Sequence, residues 1–269
     1  MHYGEPVYWE ARYQDELKKT MTKGLDNFDW YLPFEPMYSV MESIIDTQKT
    51  HKVLILGIGR SNVIDVLYSH GFKEITAIDI SPLVVAQMQE KYKKFPGVEF
   101  YIMDARELHQ FQNNTFSLII DKGCLDCIFC GLDLYESSMR YCSEVYRVLQ
   151  NEATCFIASH APPPARVPYL RCIQWAIDTA TAPVGEGITI YILLKTNNQE
   201  IINRKIAGAE ASIRTSDTGI VSSLDQTMNK MSSIRNTKQM GSLTVTASID
   251  TLADMVNSMA TDAPPERKK

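Results

Sequence analysis

"VLILGIGRSNVIDVLY" (residues 53–68) contains the reading on which the fold turns. Val53–Leu56 is short, continuous and aliphatic, the pattern of a strand covered on both faces, as a parallel sheet requires. Gly57 and Gly59 end it, and apolar residues at helical spacing follow at once. A strand running through a glycine turn into a helix lets backbone pass close to a nucleotide and turns a helix N-terminus toward it. The dinucleotide pattern G-x-G-x-x-G is incomplete, because Asn62 holds the third glycine position. That argues against NAD or FAD, whose pyrophosphate needs the tighter approach.

Outward from this stretch, ITAID (75–79), VEFYI (98–102), SLIID (117–121) and ATCFIAS (153–159) read as further strands buried on both faces. Between them SNVIDVLYSHG, PLVVAQMQEKYKKF and ESSMRYCSEVYRVLQ carry helical spacing. In the last, Met139, Cys142, Tyr146 and Leu149 are expected on one helix face. This alternation predicts a Rossmann-like, doubly wound α/β sheet, mostly parallel. CIQWAIDTAT (172–181) and ITIYILLK (188–195), joined by the turn-like APVGEG, predict a C-terminal antiparallel hairpin.

The composition shifts near residue 195. Every Trp, Tyr and Phe lies at or before Tyr191, and every Cys at or before Cys172. Residues 1–195 are therefore expected to form one domain, and 196–269 a Ser/Thr/Met-rich extension, helical or partly ordered. Ile206, Ile213 and Ile220 are seven apart, and Val245, Ile249, Leu252, Val256 and Met259 alternate by four and three. Those are a/d spacings, suited to a protein partner.

The chain has 269 residues, 45% hydrophobic and 22% charged, enough to bury a sizeable core. A formal charge of −5 and a pI near 5.6 argue against broad nucleic-acid binding, which needs a basic face. No apolar run approaches the roughly 20 residues needed to span a bilayer. MHYGEPVYWEARY lacks the basic start and apolar core of a signal peptide. Six cysteines without such a signal read as reduced thiols, so a cytoplasmic location is expected.

Asp79 ends the second strand, twenty residues after Gly59. A carboxylate there accepts both ribose hydroxyls of an adenosine. Ser81, before Pro82, is the better helix cap and leaves Asp79 for ligand work. Asp104 follows the third strand, where it is placed to accept an adenine amine, and Asp121 closes the fourth. Carboxyl ends of successive strands share one crevice in open α/β sheets. The set predicts an adenosine-containing cofactor, S-adenosylmethionine (SAM) rather than NAD.

With these residues in view, the chain resembles the seven-strand, SAM-dependent class I methyltransferases that modify lysines of translation elongation factor 1-alpha, of the lysine methyltransferase 4 and methyltransferase-like 13 types. The carrying stretches are YWEARY (8–13), FDWY (28–31), LGIGRSNVIDVLYSHGF (56–72), DISPLVVAQM (79–88), MDARELHQF (103–111), IDKGCLD (120–126) and EVYRVL (144–149). The resemblance implies cofactor contacts from Trp9, Tyr13, Trp30, Gly57, Asp79, Ile80, Asp104, Ala105 and Lys122, with Gly59 in the same turn. Arg60 stands where the family usually has Asn, Cys124 where it has Thr, and QNEAT (150–154) where it has a glycine-rich turn. The resemblance implies that Cys127 and Cys130 hold positions that are commonly small or aliphatic, where cysteine serves as a small hydrophobe, and no second C-x-x-C or H-x-x-x-H spacing completes a metal site with Cys124, Cys127 and Cys130.

Methyl transfer is an in-line displacement whose nucleophile here is a neutral lysine amine. A lysine of pKa about 10.4 must first lose a proton. Asp121 and Asp126 are the residues expected to orient that amine or accept its proton. His160, in SHAPPPARVPYL (159–170) beside the expected substrate channel, is a minor base candidate. The alternatives are a methyltransferase for another protein or a small molecule, and a silent SAM-binding scaffold that recruits partners through its tail.

Overall fold

β1 (Lys52–Leu56) is the middle of the sheet because its side chains find apolar cover on both sides. The computed structural model describes residues 3–20, 28–45, 52–182 and 187–203. Successive residues of a strand face opposite ways. Val53 and Ile55 accordingly pack into a core with Met37, Ile64 and Met88, while Leu54 and Leu56 join Leu125, Tyr141 and Leu170 on the other side. Full burial of each such side chain is worth about 1.5–3 kcal/mol.

β2 (Glu74–Asp79) and β3 (Val98–Ile102) extend the sheet to one side of β1, and β4 (Phe116–Lys122) and β5 (Leu149–Ser159) to the other. These five are parallel. β6 (Ala176–Thr181) and β7 (Thr189–Leu194) complete the order β3-β2-β1-β4-β5-β7-β6, with β7 antiparallel to both β5 and β6. The winding reverses between β1 and β4, and such a switch point is where open sheets bind ligands.

α2 (Phe34–Glu42), α3 (Val63–Ser69) and α4 (Pro82–Tyr92) cover the first face, and α5 (Cys124–Ile128), α6 (Leu134–Val148) and α7 (Pro163–Leu170) the second. α1 (Pro6–Thr20) packs against α4 through Trp9, Tyr13 and Val84. Ser81 caps α4 as the sequence predicts, its Oγ accepting from Val84 N at 3.3 Å with Pro82 at the first turn.

The structure differs from the sequence reading in three places. β3 is not buried on both faces: it is an edge strand paired only with β2, and Ile102 is 53% exposed. The buried face of α6 is Ser138, Tyr141, Cys142, Val145 and Val148, leaving Met139 and Tyr146 half-buried on its flank. α5 has five residues, too few to show a period, and had no counterpart in the sequence reading. The a/d-spaced positions between 206 and 259 lie outside the described residues.

Just past β7, Lys195 is buried, and its Nζ donates to Asn114 Oδ1 (2.8 Å), Tyr146 O (2.7 Å) and Leu149 O (2.7 Å). Burial pulls its pKa down. Three carbonyl oxygens hold the cation at the end of the sheet remote from the glycine turns. Its own carbonyl accepts from Glu152 N at 2.9 Å; QNEAT, expected as a turn, instead lies within β5 at a shift in its register with β4. Glu152 there has φ +63, a left-handed conformation that costs a residue with a side chain about 1–2 kcal/mol. Glu152→Gly is expected to raise the unfolding free energy by about 1 kcal/mol in urea denaturation.

Candidate functional site

Both strands that flank the switch point leave the sheet through glycine. Gly57 and Gly59 after β1 have φ +62 and +51, and Gly123 after β4 has φ +88. Gly57 is required twice over, because a Cβ there would sit 2.8 Å from the Cβ of Cys124. Gly59 N donates to Asp79 Oδ2 at 2.9 Å, and Ser81 N donates to Asp79 Oδ1 at 3.0 Å. Burial pushes the Asp79 carboxyl up to about 6, against those backbone donors. The Ile80 amide is a third donor to this carboxylate, which keeps acceptor capacity for a ligand hydroxyl.

Aromatic residues of α1 and of segment 28–31 close over this turn. Trp9, Tyr13 and Trp30 form one cluster with Ile80, Leu83, Val84 and Cys127. The ring centroids are 5.9 Å apart for Trp9–Tyr13 and 6.1 Å for Trp9–Trp30. Tyr13 Oη would lie 3.2 Å from a Cβ built on Gly59. Glu10 fastens α1 down by accepting from Ser81 Oγ at 2.6 Å.

Segment 28–31 is stitched to the sheet at four points. Phe28 N donates to Arg60 O at 3.1 Å, and Ser61 Oγ donates to Asp29. Lys122 Nζ forms an ion pair with Asp29 (2.8 Å) and donates to Trp30 O (2.9 Å). Burial lowers the Lys122 pKa, and Asp29 opposes the shift. Tyr31 has φ +71, its ring packs over Gly123, and its hydroxyl donates to Asp126 Oδ2 at 2.8 Å.

The two carboxylates expected to handle the substrate amine are engaged inside the protein. Asp121 is fully buried and accepts from Cys124 N (2.8 Å), Leu125 N (3.0 Å) and Tyr141 Oη (2.7 Å). Burial holds its carboxyl up at about 7, above the ordinary range although Tyr141 donates to it. Asp121 thus anchors the start of α5 and does not present itself to a substrate. Asp126 accepts from Tyr31 Oη, Ser159 Oγ (2.5 Å), His160 N (2.9 Å) and Arg166, the last at 2.6 Å as an ion pair. Its four donors make it the tie between segment 28–31, α5, the end of β5 and α7.

Asp104 also has an internal partner. Arg106 donates to both of its oxygens, with Nη2 at 2.6 Å from Oδ2 and the backbone N at 2.8 Å from Oδ1. Burial works to raise the Asp104 carboxyl, but Arg106 overrides it and the net shift is downward. Ala105 is buried beside it, and Met103 N donates to Asp79 O at 3.0 Å, joining the ends of β2 and β3. Cys124 and Cys127 lie on α5 and Cys130 just beyond it. Among the described residues no group of three or more His, Cys, Asp or Glu is placed to hold a metal.

Comparison with known proteins agrees with this geometry. A family model described as "Methyltransferase domain" matches residues 54–157. The chain is 33% identical over 153 residues to the mouse eEF1A lysine and N-terminal methyltransferase, and spans a fifth of that protein's length. It is 25% identical over 213 residues to the bovine EEF1A lysine methyltransferase 4, covering 76% of this chain and 80% of that one. Among solved structures, the N-methyltransferase NodS of Bradyrhizobium japonicum, in complex with S-adenosyl-L-homocysteine, aligns with a TM-score of 0.50 at 13% identity, covering 68% of this chain and 98% of its own. A TehB-like SAM-dependent methyltransferase from Corynebacterium glutamicum aligns with the same score at 14% identity, covering 71% and 100%. The seven-strand order and the matched domain define a class I methyltransferase domain. Within that class the chain resembles the elongation factor 1-alpha lysine methyltransferases.

The glycine turns, the acceptor at the end of β2 and the flat aromatic cover suit an adenosine and a sulfonium. Of the residues singled out in the sequence, Trp9, Tyr13, Trp30, Gly57, Gly59, Asp79 and Ile80 meet at one crevice. Tyr31, Gly123, Arg106 and Arg166 were not singled out. FDWY and D-K-G drew attention to two of them, but neither a positive φ nor a partner 40 residues away is visible in a string. Stranding one member of a buried ion pair costs about 3–5 kcal/mol. Asp126→Ala, which leaves Arg166 buried and unpaired, is expected to cost that much in chemical denaturation, and the double variant Asp126→Ala/Arg166→Met markedly less.

Proposed function

We propose that this protein is a SAM-dependent protein-lysine N-methyltransferase acting on translation elongation factor 1-alpha in the cytoplasm. The observation that carries the reading is the likeness to the bovine EEF1A lysine methyltransferase 4, which extends over four-fifths of that protein and not only over the shared domain. In this reading Gly57 and Gly59 admit the cofactor's amino-acid end close to backbone, Asp79 accepts the ribose hydroxyls, and Ile80 packs against the adenosine. Asp104, shared with Arg106, and Ala105 receive the adenine edge. Trp9, Tyr13 and Trp30 cover the cofactor, and Lys122 holds that cover in place through Asp29 and Trp30. The extension after residue 195 is assigned to a protein partner.

Bound SAM supplies an electrophilic methyl group. The protein contributes orientation and a dry, aromatic-walled approach, which favours the neutral form of an entering lysine amine. Transfer of labelled methyl from SAM to recombinant elongation factor 1-alpha, with the modified residue located by mass spectrometry, tests the reading. Label on a lysine, lost in Asp79→Ala, is the expected result. Label on a different protein in a cell extract, with elongation factor 1-alpha unlabelled, would sink the assigned substrate.

Both oxygens of Asp79 accept ribose hydroxyls only when it is ionised, because protonation turns one of them into a donor. Because its pKa is raised to about 6, affinity for S-adenosylhomocysteine is expected to fall as pH drops through 6, by roughly tenfold between pH 7.5 and pH 5. The same raised value means that the folded state holds a proton the unfolded chain releases, so this group favours folding below pH 4 and less so as pH rises through 6. Calorimetric titration at several pH values checks the binding effect, which Asp79→Asn should abolish.

A further inference from the structure

Cysteines aside, the carboxyl ends of β4 and β5 and the adjoining α5 carry four titratable side chains, and three of them are engaged within the protein. Asp121 accepts from two backbone amides and Tyr141, Lys122 is paired with Asp29, and Asp126 accepts from four donors. The fourth is His160, one residue beyond β5. Its imidazole makes no hydrogen bond to the described residues, and the residue is exposed.

The exposure does not come with slack. His160 N donates to Asp126 Oδ2 at 2.9 Å, Ala161 N donates to Ser159 Oγ at 3.0 Å, and Tyr191 Oη donates to Ala161 O at 2.5 Å. The imidazole stands edge-on to the Tyr31 ring, with centroids 4.2 Å apart. Tyr31 in turn is held in a left-handed conformation over Gly123, with its hydroxyl on Asp126. Backbone strain of this kind costs about 1–3 kcal/mol and gathers where a side chain must be aimed. One carboxylate therefore fixes two rings that lie against each other beside the carboxyl ends of β4 and β5, Tyr31 and the basic His160.

We infer that His160 is a catalytic residue, the group that takes the proton from the incoming lysine ammonium, with Tyr31 and Asp126 positioning it. The inference rests on the proposed lysine methylation. In the step, the substrate ammonium gives one proton to an imidazole nitrogen. The freed lone pair then bonds to the methyl carbon as the carbon–sulfur bond breaks, and that bonding pair stays on sulfur as the thioether. The imidazolium afterwards releases its proton to water. The product is a methylated ammonium, and one proton is set free per transfer.

The groups facing His160 suit it to accept a proton at neutral pH. Burial lowers the imidazole pKa and the Asp126 carboxylate opposes the shift, while Asp126 is itself neutralised by Arg166. Tyr31 faces it as a neutral phenol, raised far above its ordinary range by burial and by Asp126. The lowered pKa favours the basic form of the imidazole at neutral pH.

The test compares full-length wild type with His160→Gln. General-base removal costs about 100-fold or more in kcat. The expected result is a loss of that size, with the acid limb of the wild-type kcat profile gone and both the S-adenosylhomocysteine affinity and the thermal midpoint unchanged. The profile is taken at SAM concentrations that saturate at every pH and so hide the Asp79 effect. A variant within threefold of wild-type kcat, or one that keeps the acid limb, overturns the assignment. Should wild type fail to methylate elongation factor 1-alpha, the substrate reading fails separately. His160 is then judged by NMR of its ring proton in protein saturated with S-adenosylhomocysteine. A titration midpoint below that of a free imidazole and a shift on adding Nα-acetyl-lysine methylamide support the role, and no response to the amide overturns it.

Discussion

The winding of the sheet reverses between β1 and β4, and there the backbone after β1 meets the start of α5 with no room for a side chain. A Cβ on Gly57 would fall 2.8 Å from the Cβ of Cys124, well inside contact distance. Much of the site follows from that closeness. It brings the Gly57–Gly59 turn against the Asp121-anchored start of α5, and it puts the ends of β1, β2 and β4 within reach of one ligand. Gly59 then binds Asp79 through its amide, so that one turn both makes room for a cofactor and orients its acceptor.

Over this crevice the chain lays a cover that no hydrophobic term alone would hold in register. Segment 28–31 is fixed by a buried ammonium, Lys122, and by a carboxylate, Asp126, each with its hydrogen-bonding capacity directed at named partners. Buried ion pairs add little net stability, because desolvation offsets the attraction, but breaking one is costly. Their effect here is selection of one arrangement among several packed ones. Lys122 chooses where Asp29 and Trp30 sit, and Asp126 chooses where Tyr31, Ser159, His160 and Arg166 sit. The aromatic residues supply area and the charges supply aim.

Much of the site was legible as residue types at strand ends. Gly57, Gly59 and Asp79 declare themselves because a strand, a glycine turn and an acid at the next strand end have few other uses together. Asp121 and Asp126 were legible as carboxylates near the chemistry. That both are saturated by internal donors was not legible, since those donors come from as far as 40 residues downstream and, in Tyr31, 95 residues upstream. Lys122 drew notice through D-K-G, while the partner that fixes it lies 92 residues upstream. Arg106 was hidden for a different reason: a two-residue separation gives no hint that its side chain folds back onto Asp104.

The succession of strands and helices along the chain, a mostly parallel sheet and the final hairpin were determined by the sequence, because aliphatic runs, glycine turns and helical spacing are local patterns with few folded solutions. The extent of burial was not. VEFYI reads like its neighbours, yet becomes an edge strand, since edge or centre is a property of the whole sheet. The buried side of α6 was likewise settled by its packing against the sheet, and not by the spacing of its most apolar residues. Only the tertiary structure decided which acids are structural and which basic group is left facing out. Hydrogen-bond capacity is consumed pairwise across the fold, and a sequence states the capacity of each residue without saying where it is consumed.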